Sequence, residues 1–395
     1  MAAAPRVLFY VQHLLGIGHL KRAALVCRAL AAAGLDTTLV SGGAAVPGLE
    51  IGGARLRQLP PLRAADLGFS TLLDDAGRPI DEAWQARRRE LLLATFHELR
   101  PEALVVEMYP FGRRQMRFEL LPLLEAARAA EPRPLILSSL RDILAKPPAP
   151  ERAAWIQDQI ARFFDAVLVH ADPRFVTLEA SFPEAAALAD VLVYTGYVAE
   201  TAGGLPTPVA TSDRSGVVVS AGGGAVGAAL IETALAARPI SALRNEPWIL
   251  LTGPNLPAGD FDRLARQCPE SVTLSRAHHR FHELLSQTRL SISQGGYNTI
   301  ADLLQTGPRA IIVPFAAEGE AEQTMRARLL QAAGVMVMLE EPALTPQALS
   351  EAIDRALAAD KGPLDFEVDL GGAEAAAAWI ARGLAARRGA ERPPS

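Results

Sequence analysis

The chain is poor in cysteine, in lysine and in long apolar runs, and these shortages exclude several classes of protein. Its two cysteines, Cys27 and Cys268, stand far apart, so they suggest neither a disulfide framework nor a metal site and fit a reducing compartment. No apolar run approaches the roughly 18 residues of a membrane-spanning helix. The start, Met1 to Arg6, lacks a basic segment followed by a long apolar core, so we expect no signal peptide and a cytoplasmic location.

The net charge argues weakly against a nucleic acid partner. The chain has 39 basic and 44 acidic residues, a net charge of −5 and a pI near 5.9, whereas nucleic-acid-binding proteins need a basic patch. Only three of the basic residues are lysine, and the abundance of alanine beside them indicates mutational bias rather than function. Half of the 395 residues are hydrophobic, which is enough for two cores, and a chain of this length usually divides into two domains.

Short apolar runs alternate with helical patterns in both halves of the chain, which predicts an α/β fold with parallel sheets. In the first half, strands are predicted at Val7–Val11, Thr37–Ser41, Ala103–Glu107, Leu135–Ser138, Ala166–His170 and Val191–Thr195, with a helix over Leu20–Ala33. In the second half, strands are predicted at Val217–Ser220, Trp248–Thr252, Val272–Leu274, Leu290–Ser293, Ala310–Val313 and Val335–Leu339, with a last helix over Ala373–Ala386.

Residues 200–215 are rich in Gly, Pro, Thr and Ser, which is typical of a linker. We therefore predict an N-terminal doubly wound domain over residues 1–200, a linker over 201–215, a C-terminal doubly wound domain over 216–390 and a frayed tail. Residues 61–82 show no clear period and are predicted to be a long binding or disordered loop.

The segment Gly16-Ile17-Gly18-His19 lies between the first predicted strand and the first helix. Glycines permit a tight turn there, and the start of a helix offers unpaired N–H groups and a partial positive charge. The imidazole of His19 is suited to taking a proton from a hydroxyl group near neutral pH. A turn with His19 merely near the helix start is the alternative.

Polar side chains also follow other strands of the first half. Glu107 ends one predicted strand and is a second candidate base, and Arg141 and Asp142 come just after another. Carboxyl ends of parallel strands meet at one edge of a sheet, so these groups should face the same crevice. The basic stripe of Arg113, Arg114 and Arg117 is interpreted as a solvated helix face, with contact to an anionic acceptor or to lipid headgroups as the alternative.

Two segments of the second half predict a ligand site. Gly222, Gly223 and Gly224 follow the strand that ends at Ser220, and outward-pointing amides in such a turn suit a diphosphate; a flexible turn is the alternative. The other segment contains Gln294, Gly295, Gly296, Tyr297, Asn298 and Thr299, then Pro314-Phe315, then Glu318, Glu320, Glu322 and Gln323. Acids before a helix are favoured by its dipole, but Gln323 is not explained in that way.

Asp302 has two interpretations of equal weight. The spacing from Thr299 to Asp302 fits a capping box, in which Asp302 only stabilises the start of its helix. A carboxylate also accepts two hydrogen bonds, so Asp302 could contact the ribose hydroxyls of a nucleotide. His278 and His282 have the i, i+4 spacing of a helical metal site, but no cysteine or acid nearby completes the set, so we predict no metal.

The pattern Gln294-Gly-Gly-Tyr-Asn-Thr299, Pro314-Phe315 and Glu322-Gln323 resembles the donor-binding signature of GT-B glycosyltransferases, and most closely the MurG-type N-acetylglucosaminyltransferases. Glu107-Met-Tyr-Pro-Phe-Gly and His170-Ala-Asp-Pro-Arg also resemble a bacterial group of glycosyltransferases without an assigned substrate. The resemblance spans nearly the whole chain and implies two Rossmann-like domains facing across a cleft.

The resemblance also implies roles for the residues. The second domain would bind the nucleotide sugar and the first would carry the acceptor site, with Arg141 and Asp142 on the acceptor side. Donor-binding residues would be Gly16, Gly18, Ser220, Gly222, Gly223, Gly224, His279, Gln294, Gly295, Gly296, Asn298, Thr299, Asp302, Glu318, Glu322 and Gln323. Asp302 stands where the family usually has glutamate. His19 would be the catalytic base or would orient the phosphates, and Glu107 is the other candidate base.

These observations predict an inverting glycosyltransferase that needs no metal and no cofactor, because amides and helix dipoles can neutralise the leaving diphosphate. The donor is predicted to be a UDP-hexose or a UDP-N-acetylhexosamine. The acceptor is left open between a lipid-linked molecule and a glycan, as is peripheral contact with the inner face of the membrane. The alternatives are a nucleotide-sugar hydrolase or a non-hydrolysing 2-epimerase on the same fold, and a non-catalytic nucleotide-sugar-binding protein.

Overall fold

The structure, a computed structural model, describes residues 3–65, 71–200, 210–222, 227–278, 280–315, 321–359 and 367–390. The chain divides into two compact units: Met1–Ala199 together with Asp369–Ser395, and Glu200–Val368. Each unit is built on one parallel sheet whose central strands are buried on both faces, as helices on each side of a sheet require. The predicted α/β class with two doubly wound domains is confirmed.

The first unit contains a seven-stranded parallel sheet and a short antiparallel hairpin. Numbered in chain order, its strands are β1 (Arg6–Val11), β2 (Asp36–Ser41), β3 (Arg55–Gln58), β4 (Arg63–Ala64), β5 (Leu72–Leu73), β6 (Ala103–Glu107), β7 (Leu135–Arg141), β8 (Ala166–His170) and β9 (Leu192–Tyr194). Its helices are α1 (Gly18–Ala32), α2 (Glu82–Leu99), α3 (Arg117–Ala129), α4 (Pro150–Phe163) and the last of the chain, α11 (Gly372–Ala390). The sheet order is β3-β2-β1-β6-β7-β8-β9, and β4 pairs with β5.

The second unit contains a six-stranded parallel sheet. Its strands are β10 (Ser215–Ser220), β11 (Trp248–Leu251), β12 (Val272–Ser275), β13 (Thr288–Ser293), β14 (Arg309–Ile312) and β15 (Val337–Met338). Its helices are α5 (Ala228–Ala237), α6 (Ala258–Gln267), α7 (Phe281–Gln287), α8 (Tyr297–Thr306), α9 (Glu322–Ala332) and α10 (Pro346–Ala358). The sheet order is β12-β11-β10-β13-β14-β15.

The last helix, α11, belongs to the first unit, which corrects the predicted range of 216–390 for the second domain. Its apolar face recurs at helical spacing, with Ala373, Ala377, Ile380 and Leu384 buried against the core around α1 and β1. Gly372 lies so close to Gly196 that a Cβ there would be 2.2 Å from the Gly196 carbonyl oxygen. An amphipathic pattern shows which face a helix buries, but it does not show which of two cores receives that face.

Two further expectations for the first unit are corrected. Residues 61–82 are not a plain loop, because they contain the β4–β5 hairpin and the Asp81 cap of α2, whose carboxylate accepts a hydrogen bond from the Trp84 N–H at 2.7 Å. Strand β3 was not predicted, because all four of its residues are exposed and show no apolar alternation. Within the described ranges, no helix combines the length and the apolarity needed to span a membrane.

Candidate functional site

The two sheets share one topological feature, a reversal of strand order next to the first strand of each unit. In the first unit, strands β1 to β3 follow one another toward one edge of the sheet, and strands β6 to β9 follow one another toward the other edge. In the second unit, strands β10 to β12 and strands β13 to β15 are arranged in the same way. Open α/β sheets bind ligands beyond the carboxyl ends of the strands at such reversals. Gly16–His19 and Glu107 follow or end the first pair of strands, and Ser220 and Gln294 end or follow the second pair.

His19 and Glu107, predicted as alternative bases, form one hydrogen-bonded pair. His19 is the second residue of α1, and its Nδ1 lies 2.8 Å from Oε1 of Glu107, the last residue of β6. The Glu107 side chain is fully buried, whereas that of His19 is 20% exposed. A carboxylate only accepts hydrogen bonds, so Nδ1 carries the proton and Nε2 keeps its lone pair.

Arg22 is the third member of this hydrogen-bonded group, and it was not predicted from the sequence. It lies one turn after His19 on α1, is buried, and donates a hydrogen bond from Nη2 to the same Oε1 of Glu107. The Arg22 Nη2 also lies 3.2 Å from His19 Nδ1, but a nitrogen that donates to Glu107 cannot also accept from Arg22. The i, i+3 spacing from His19 was the one available signal, because residues three apart share a helix face.

Burial and the neighbouring charges set the protonation of this pair. Burial lowers the pKa of His19 to about 3, and the opposing charge of Glu107 offsets this only in part. Burial alone would raise the pKa of Glu107, but its interaction with His19 and the charges of Arg22 and Arg113 lower it to about 2. At pH 7 a neutral imidazole therefore faces an ionised carboxylate, which is the state that a general base requires.

A second buried histidine, His170, lies at the end of β8. Its Nε2 is 2.9 Å from the Ser139 hydroxyl and its Nδ1 is 2.8 Å from the Thr195 hydroxyl. Burial, followed by the charge of Arg22, lowers the pKa of His170 to about 3. Hydroxyl partners on both nitrogens suit a neutral ring, because each hydroxyl can donate or accept.

These two histidines should make the first unit acid-sensitive. An unfolded histidine binds a proton near pH 6.5, while folded His19 and His170 bind one only near pH 3. The unfolded state therefore binds more protons between these limits, and stability falls as the pH falls through that window. Each histidine should contribute a slope of about 1.4 kcal/mol per pH unit well below pH 6.5.

Urea unfolding at pH 7, 6 and 5, read by hydrogen exchange in the first unit, measures this slope. His170→Gln should lower this slope by the contribution of one histidine, about 1.4 kcal/mol per pH unit, whatever the variant does to stability at pH 7. Arg128→Gln, at an exposed position of α3, removes no histidine and should leave the slope unchanged. Equal slopes for the parent and His170→Gln would contradict the assignment.

A buried polar network supports the loops that follow β1 and β2. Arg88 donates from Nε to Glu119 Oε2 at 2.8 Å, from Nη2 to Gln12 Oε1 at 2.6 Å and from Nη1 to the Gly42 carbonyl at 2.9 Å. Tyr10 donates its hydroxyl to Glu119. A Cβ at Gly42 would lie 2.3 Å from Arg88 Nη2, so only glycine fits there. We call Tyr10, Gln12, Arg88 and Glu119 the Arg88 network.

The two acceptor-side candidates differ in their surroundings. Arg141 is the last residue of β7 rather than a loop residue, and it is half-buried. Asp142 is fully buried, and its carboxylate accepts hydrogen bonds from the Tyr197 hydroxyl and the Ile143 N–H, both at 2.8 Å. These contacts fix the chain after β7, and the acceptor role of both residues stays a prediction.

In the second unit the structure brings Ser220, Gly222 and Gln294 together. The Gln294 N–H donates to the Ser220 carbonyl at 3.1 Å, and the Gly222 N–H donates to the Ser220 hydroxyl at 3.4 Å. Gly222 has a φ of +70°, which favours glycine. Gln294 Oε1 lies 3.7 Å from the place of a Cβ on Gly222, so the loops after β10 and β13 adjoin.

The loop after β13 is also joined to the start of α9. The Gly295 carbonyl accepts a hydrogen bond at 2.7 Å from Nη1 of Arg326, which is fully buried. Gln323 Oε1 accepts the Phe315 N–H at 3.1 Å, so the Gln323 side chain fixes the backbone after β14. A Cβ on Gly295 would lie 3.0 Å from Ile312 Cγ2 and 3.4 Å from the Gln323 carbonyl oxygen.

Gly295 and Gly296 should respond differently to alanine. Gly295→Ala forces a methyl group against Ile312 and Gln323, so it should destabilise the second unit by about 1–3 kcal/mol. Gly296 has a φ of −63°, and its added methyl would meet only Thr299 Oγ1 at 4.0 Å. Gly296→Ala should therefore cost less than Gly295→Ala, about 0.5–1 kcal/mol, because alanine is a poorer N-cap residue than glycine. Hydrogen exchange of α8 and α9 tests this, and equal effects would contradict the packing argument.

The capping box predicted at Thr299 and Asp302 is wrong, because α8 begins at Tyr297 with Gly296 as its N-cap. Thr299 is the third helical residue, so its side chain cannot act from the N-cap position. Asp302 lies in the middle of α8, where Oδ1 is 3.1 Å from Nε2 of His282. Burial alone would lower the pKa of His282, but the hydrogen bond with Asp302 and the charge of its carboxylate raise that pKa above its usual value.

The remaining predicted site residues are half-buried, buried or outside the described residues. Asn298 and Thr299 are half-buried in the first turn of α8, while Glu322 is buried as the first residue of α9. Gly223, Gly224, His279 and Glu318 lie outside the described residues. His278 precedes α7, so it does not share a helix with His282, and the described ranges contain no group of three or more potential metal ligands.

Comparison with known proteins shows what the second unit resembles. The family model of the glycosyltransferase family 28 C-terminal domain matches residues 217–365, which include every donor-binding residue predicted in that unit. The second unit is thus similar to a glycosyltransferase family 28 C-terminal domain. Within the matched residues, the Ser220, Gly222 and Gln294 loops lie at the reversal of strand order, where the fold is expected to bind its ligand.

The curated relatives support the predicted resemblance to MurG-type enzymes. A UDP-N-acetylglucosamine--N-acetylmuramyl-(pentapeptide) pyrophosphoryl-undecaprenol N-acetylglucosamine transferase from Leuconostoc mesenteroides is 32% identical over 114 residues. This match covers 29% of the chain and 31% of that relative. The chain thus matches about a third of the length of such relatives.

Solved structures extend the likeness to both units. CalG4, the calicheamicin glycosyltransferase, has a TM-score of 0.62 at 16% identity, with 100% of each chain covered. MurG from Acinetobacter baumannii has a TM-score of 0.55 at 13% identity, with 98% of this chain and 99% of that chain covered. Identities this low concern the fold alone, and they confirm the predicted GT-B fold both within residues 217–365 and outside them.

Proposed function

We propose that this chain is an inverting glycosyltransferase that moves a sugar from a nucleotide-sugar donor to an acceptor hydroxyl group. The observation that carries the proposal is the match of residues 217–365 to the family 28 domain, which covers the predicted donor-binding residues. The His19–Glu107 pair in the other unit supports it, because a neutral imidazole held by a carboxylate is equipped to take a proton.

The donor in this proposal is a UDP-hexose or a UDP-N-acetylhexosamine. The name of the Leuconostoc mesenteroides relative specifies UDP-N-acetylglucosamine, which favours the second class. The amides around Ser220 and Gly222 and the start of α8 would receive the diphosphate, and Gln323 beside Gly295 would receive the sugar. Asp302 would contact the ribose only by sharing its carboxylate with His282.

The proposed reaction is a direct displacement at the anomeric carbon. His19 Nε2 takes the proton of the acceptor hydroxyl as its oxygen forms the new bond on the face opposite the diphosphate. The bond between the anomeric carbon and the diphosphate oxygen breaks, and UDP leaves with the electron pair, so the configuration inverts. Glu107 holds the imidazolium that forms, as Nδ1 donates to its carboxylate throughout.

No metal or other cofactor is required in this mechanism. The negative charge that develops on the leaving diphosphate would be stabilised by backbone N–H groups and by the partial positive charge at helix starts. The acceptor stays open between a lipid-linked molecule and a glycan. Contact with the inner face of a membrane is part of the proposal only for the first of these.

Calorimetry with UDP in EDTA tests the donor half of the proposal. We expect UDP to bind, and Mg²⁺ to leave the affinity unchanged. Gly296→Ala should weaken binding, since a methyl group enters the start of α8, whereas Gly259→Ala, at an open position of α6, should not. A folded parent protein that does not bind UDP would overturn the proposal, and binding that needs Mg²⁺ would overturn metal independence.

Product analysis tests the chemical half. UDP-N-acetylglucosamine and a pool of lipid and glycan acceptors should give UDP and a glycosylated product, whose anomeric proton coupling in NMR reports β configuration from an α donor. The donor incubated alone separates the alternatives. Rapid release of free sugar would indicate a hydrolase, a 2-epimer would indicate an epimerase, and UDP affinity without turnover on any acceptor would indicate a binding protein.

A further inference from the structure

Two arginines of the first unit, Arg117 and Arg152, contact one half-buried tryptophan, Trp155, and a third, Arg114, lies near Arg152. The Arg152 guanidinium carbon is 4.3 Å from the centre of the Trp155 ring, and that of Arg117 is 5.8 Å away. Arg114 is close enough for its charge, like that of Arg117, to lower the pKa of Arg152 after the larger effect of burial. Three like charges are therefore held together.

The Trp155 ring also packs against a buried aromatic partner. Tyr109 is fully buried and meets Trp155 edge to face, with ring centres 5.9 Å apart. Arg152 is fixed as well, since its Nη2 donates to the Pro110 carbonyl at 2.7 Å. The loop that holds both follows Glu107 directly in the chain, so the group lies at the same edge of the sheet as the His19–Glu107 pair.

These positive charges have no negative partner in the part of the chain that the structure describes. None of the three arginines forms an ion pair with a carboxylate there, and neither does Glu151, the residue before Arg152. An arginine offers five N–H donors, and the one used by Arg152 toward Pro110 is the only side-chain hydrogen bond of the three to a described residue.

The positions of the arginines on their helices also disfavour positive charges that have no negative partner. Arg114 opens a 3-10 turn, Arg117 opens α3 and Arg152 lies in the first turn of α4. Cations are disfavoured at helix starts, where the helix dipole is positive and anions are stabilised. Repulsion among the guanidiniums and with the dipoles would be relieved by a bound anion, and guanidinium forks match phosphate geometry.

We propose that Arg117 and Arg152 at the Trp155 ring, together with the neighbouring Arg114, bind a phosphate group, the chemistry of a phosphorylated acceptor or of a phospholipid headgroup. The site of the three arginines and Trp155 is called the Arg–Trp site below. Its assignment to the acceptor rests on the proposed function, but anion binding itself does not. The Arg–Trp site belongs to the first unit and the Ser220 and Gln294 loops belong to the second, so the two sites share no residue.

Fluorine NMR of protein labelled with 5-fluorotryptophan tests the site, with inorganic pyrophosphate as the probe. The chain has four tryptophans, and only the Trp155 resonance, assigned by its loss in Trp155→Phe, should shift and saturate. Pyrophosphate affinity should fall at least about tenfold in the combined variant R114Q/R117Q/R152Q. Arg128→Gln, at an exposed position late in α3, should leave it unchanged.

Two outcomes overturn the inference: a Trp155 resonance that does not shift, or an equal shift in the combined variant. The other three tryptophan resonances show whether that variant is folded. Displacement of pyrophosphate by phosphatidylglycerol vesicles would identify the headgroup as the source of the phosphate, and its retention would identify a soluble phosphate. UDP affinity should be the same in the combined variant, so this inference and the donor assignment fail separately.

Discussion

Replacing Arg88 with methionine should lower the free energy of unfolding of the first unit by about 3–5 kcal/mol. Arg88 and Glu119 are both fully buried, and the variant leaves the Glu119 carboxylate with the Tyr10 hydroxyl as its remaining partner in the Arg88 network. It also removes the donors to Gln12 and to the Gly42 carbonyl. The expected loss is a large part of the 5–15 kcal/mol that stabilises a typical domain.

Hydrogen exchange during urea unfolding, read in β1, α2 and α3, measures this loss without requiring both units to unfold together. Arg57→Met is the matched control, because Arg57 pairs with Glu98 at 2.8 Å on the surface, where such pairs contribute about 0–1 kcal/mol. The double variant R88M/E119L should cost less than the sum of its single changes, since no buried charge is left unpaired. A loss in Arg88→Met as small as that in Arg57→Met would contradict the argument.

The sequence predicts central strands better than edge strands, and the physical reason is burial. Strands such as β6 are covered on both faces, so they appear as continuous apolar runs with nearly correct bounds. Strand β3 is exposed along its whole length and is held by its pairing with β2, which no local pattern reports. Helix α11 shows its apolar face in the sequence, but its destination depends on shapes formed by residues far away in the chain.

The candidate site was predictable as a set of strand ends and not as a set of contacts. His19 and Glu107 were each found from their position after or at the end of a strand, but their contact depends on the parallel register of β1 and β6. Arg22 and Arg88 were missed because buried and exposed arginines look alike in an arginine-rich sequence. Only the structure shows that both are surrounded by acceptors.

Replacing His19 with alanine should lower kcat for sugar transfer by about 10²- to 10⁴-fold, the range expected for loss of a general base. The reason is the neutral imidazole, whose Nδ1 donates to Glu107 and whose Nε2 is left to accept a proton. Because burial lowers the pKa of His19 to about 3, kcat/KM of the parent should stay level from pH 8 to pH 5, with no loss near pH 6.5. UDP release with the acceptor found by the product assay measures both quantities.

The same variant separates the two roles considered for His19, since a base and a phosphate ligand affect different constants. A base lowers kcat and leaves UDP affinity unchanged, whereas a phosphate ligand weakens UDP binding and leaves kcat nearly intact. Glu107→Gln should also lower kcat, because its amide N–H can donate to Nδ1 of His19. That bond favours the tautomer with its proton on Nε2, and a protonated Nε2 cannot take the proton of the acceptor. His97→Ala, at an exposed position of α2, is the control and should change neither constant. Weaker UDP binding with full kcat in His19→Ala would exclude the base and leave His19 as a ligand of the diphosphate.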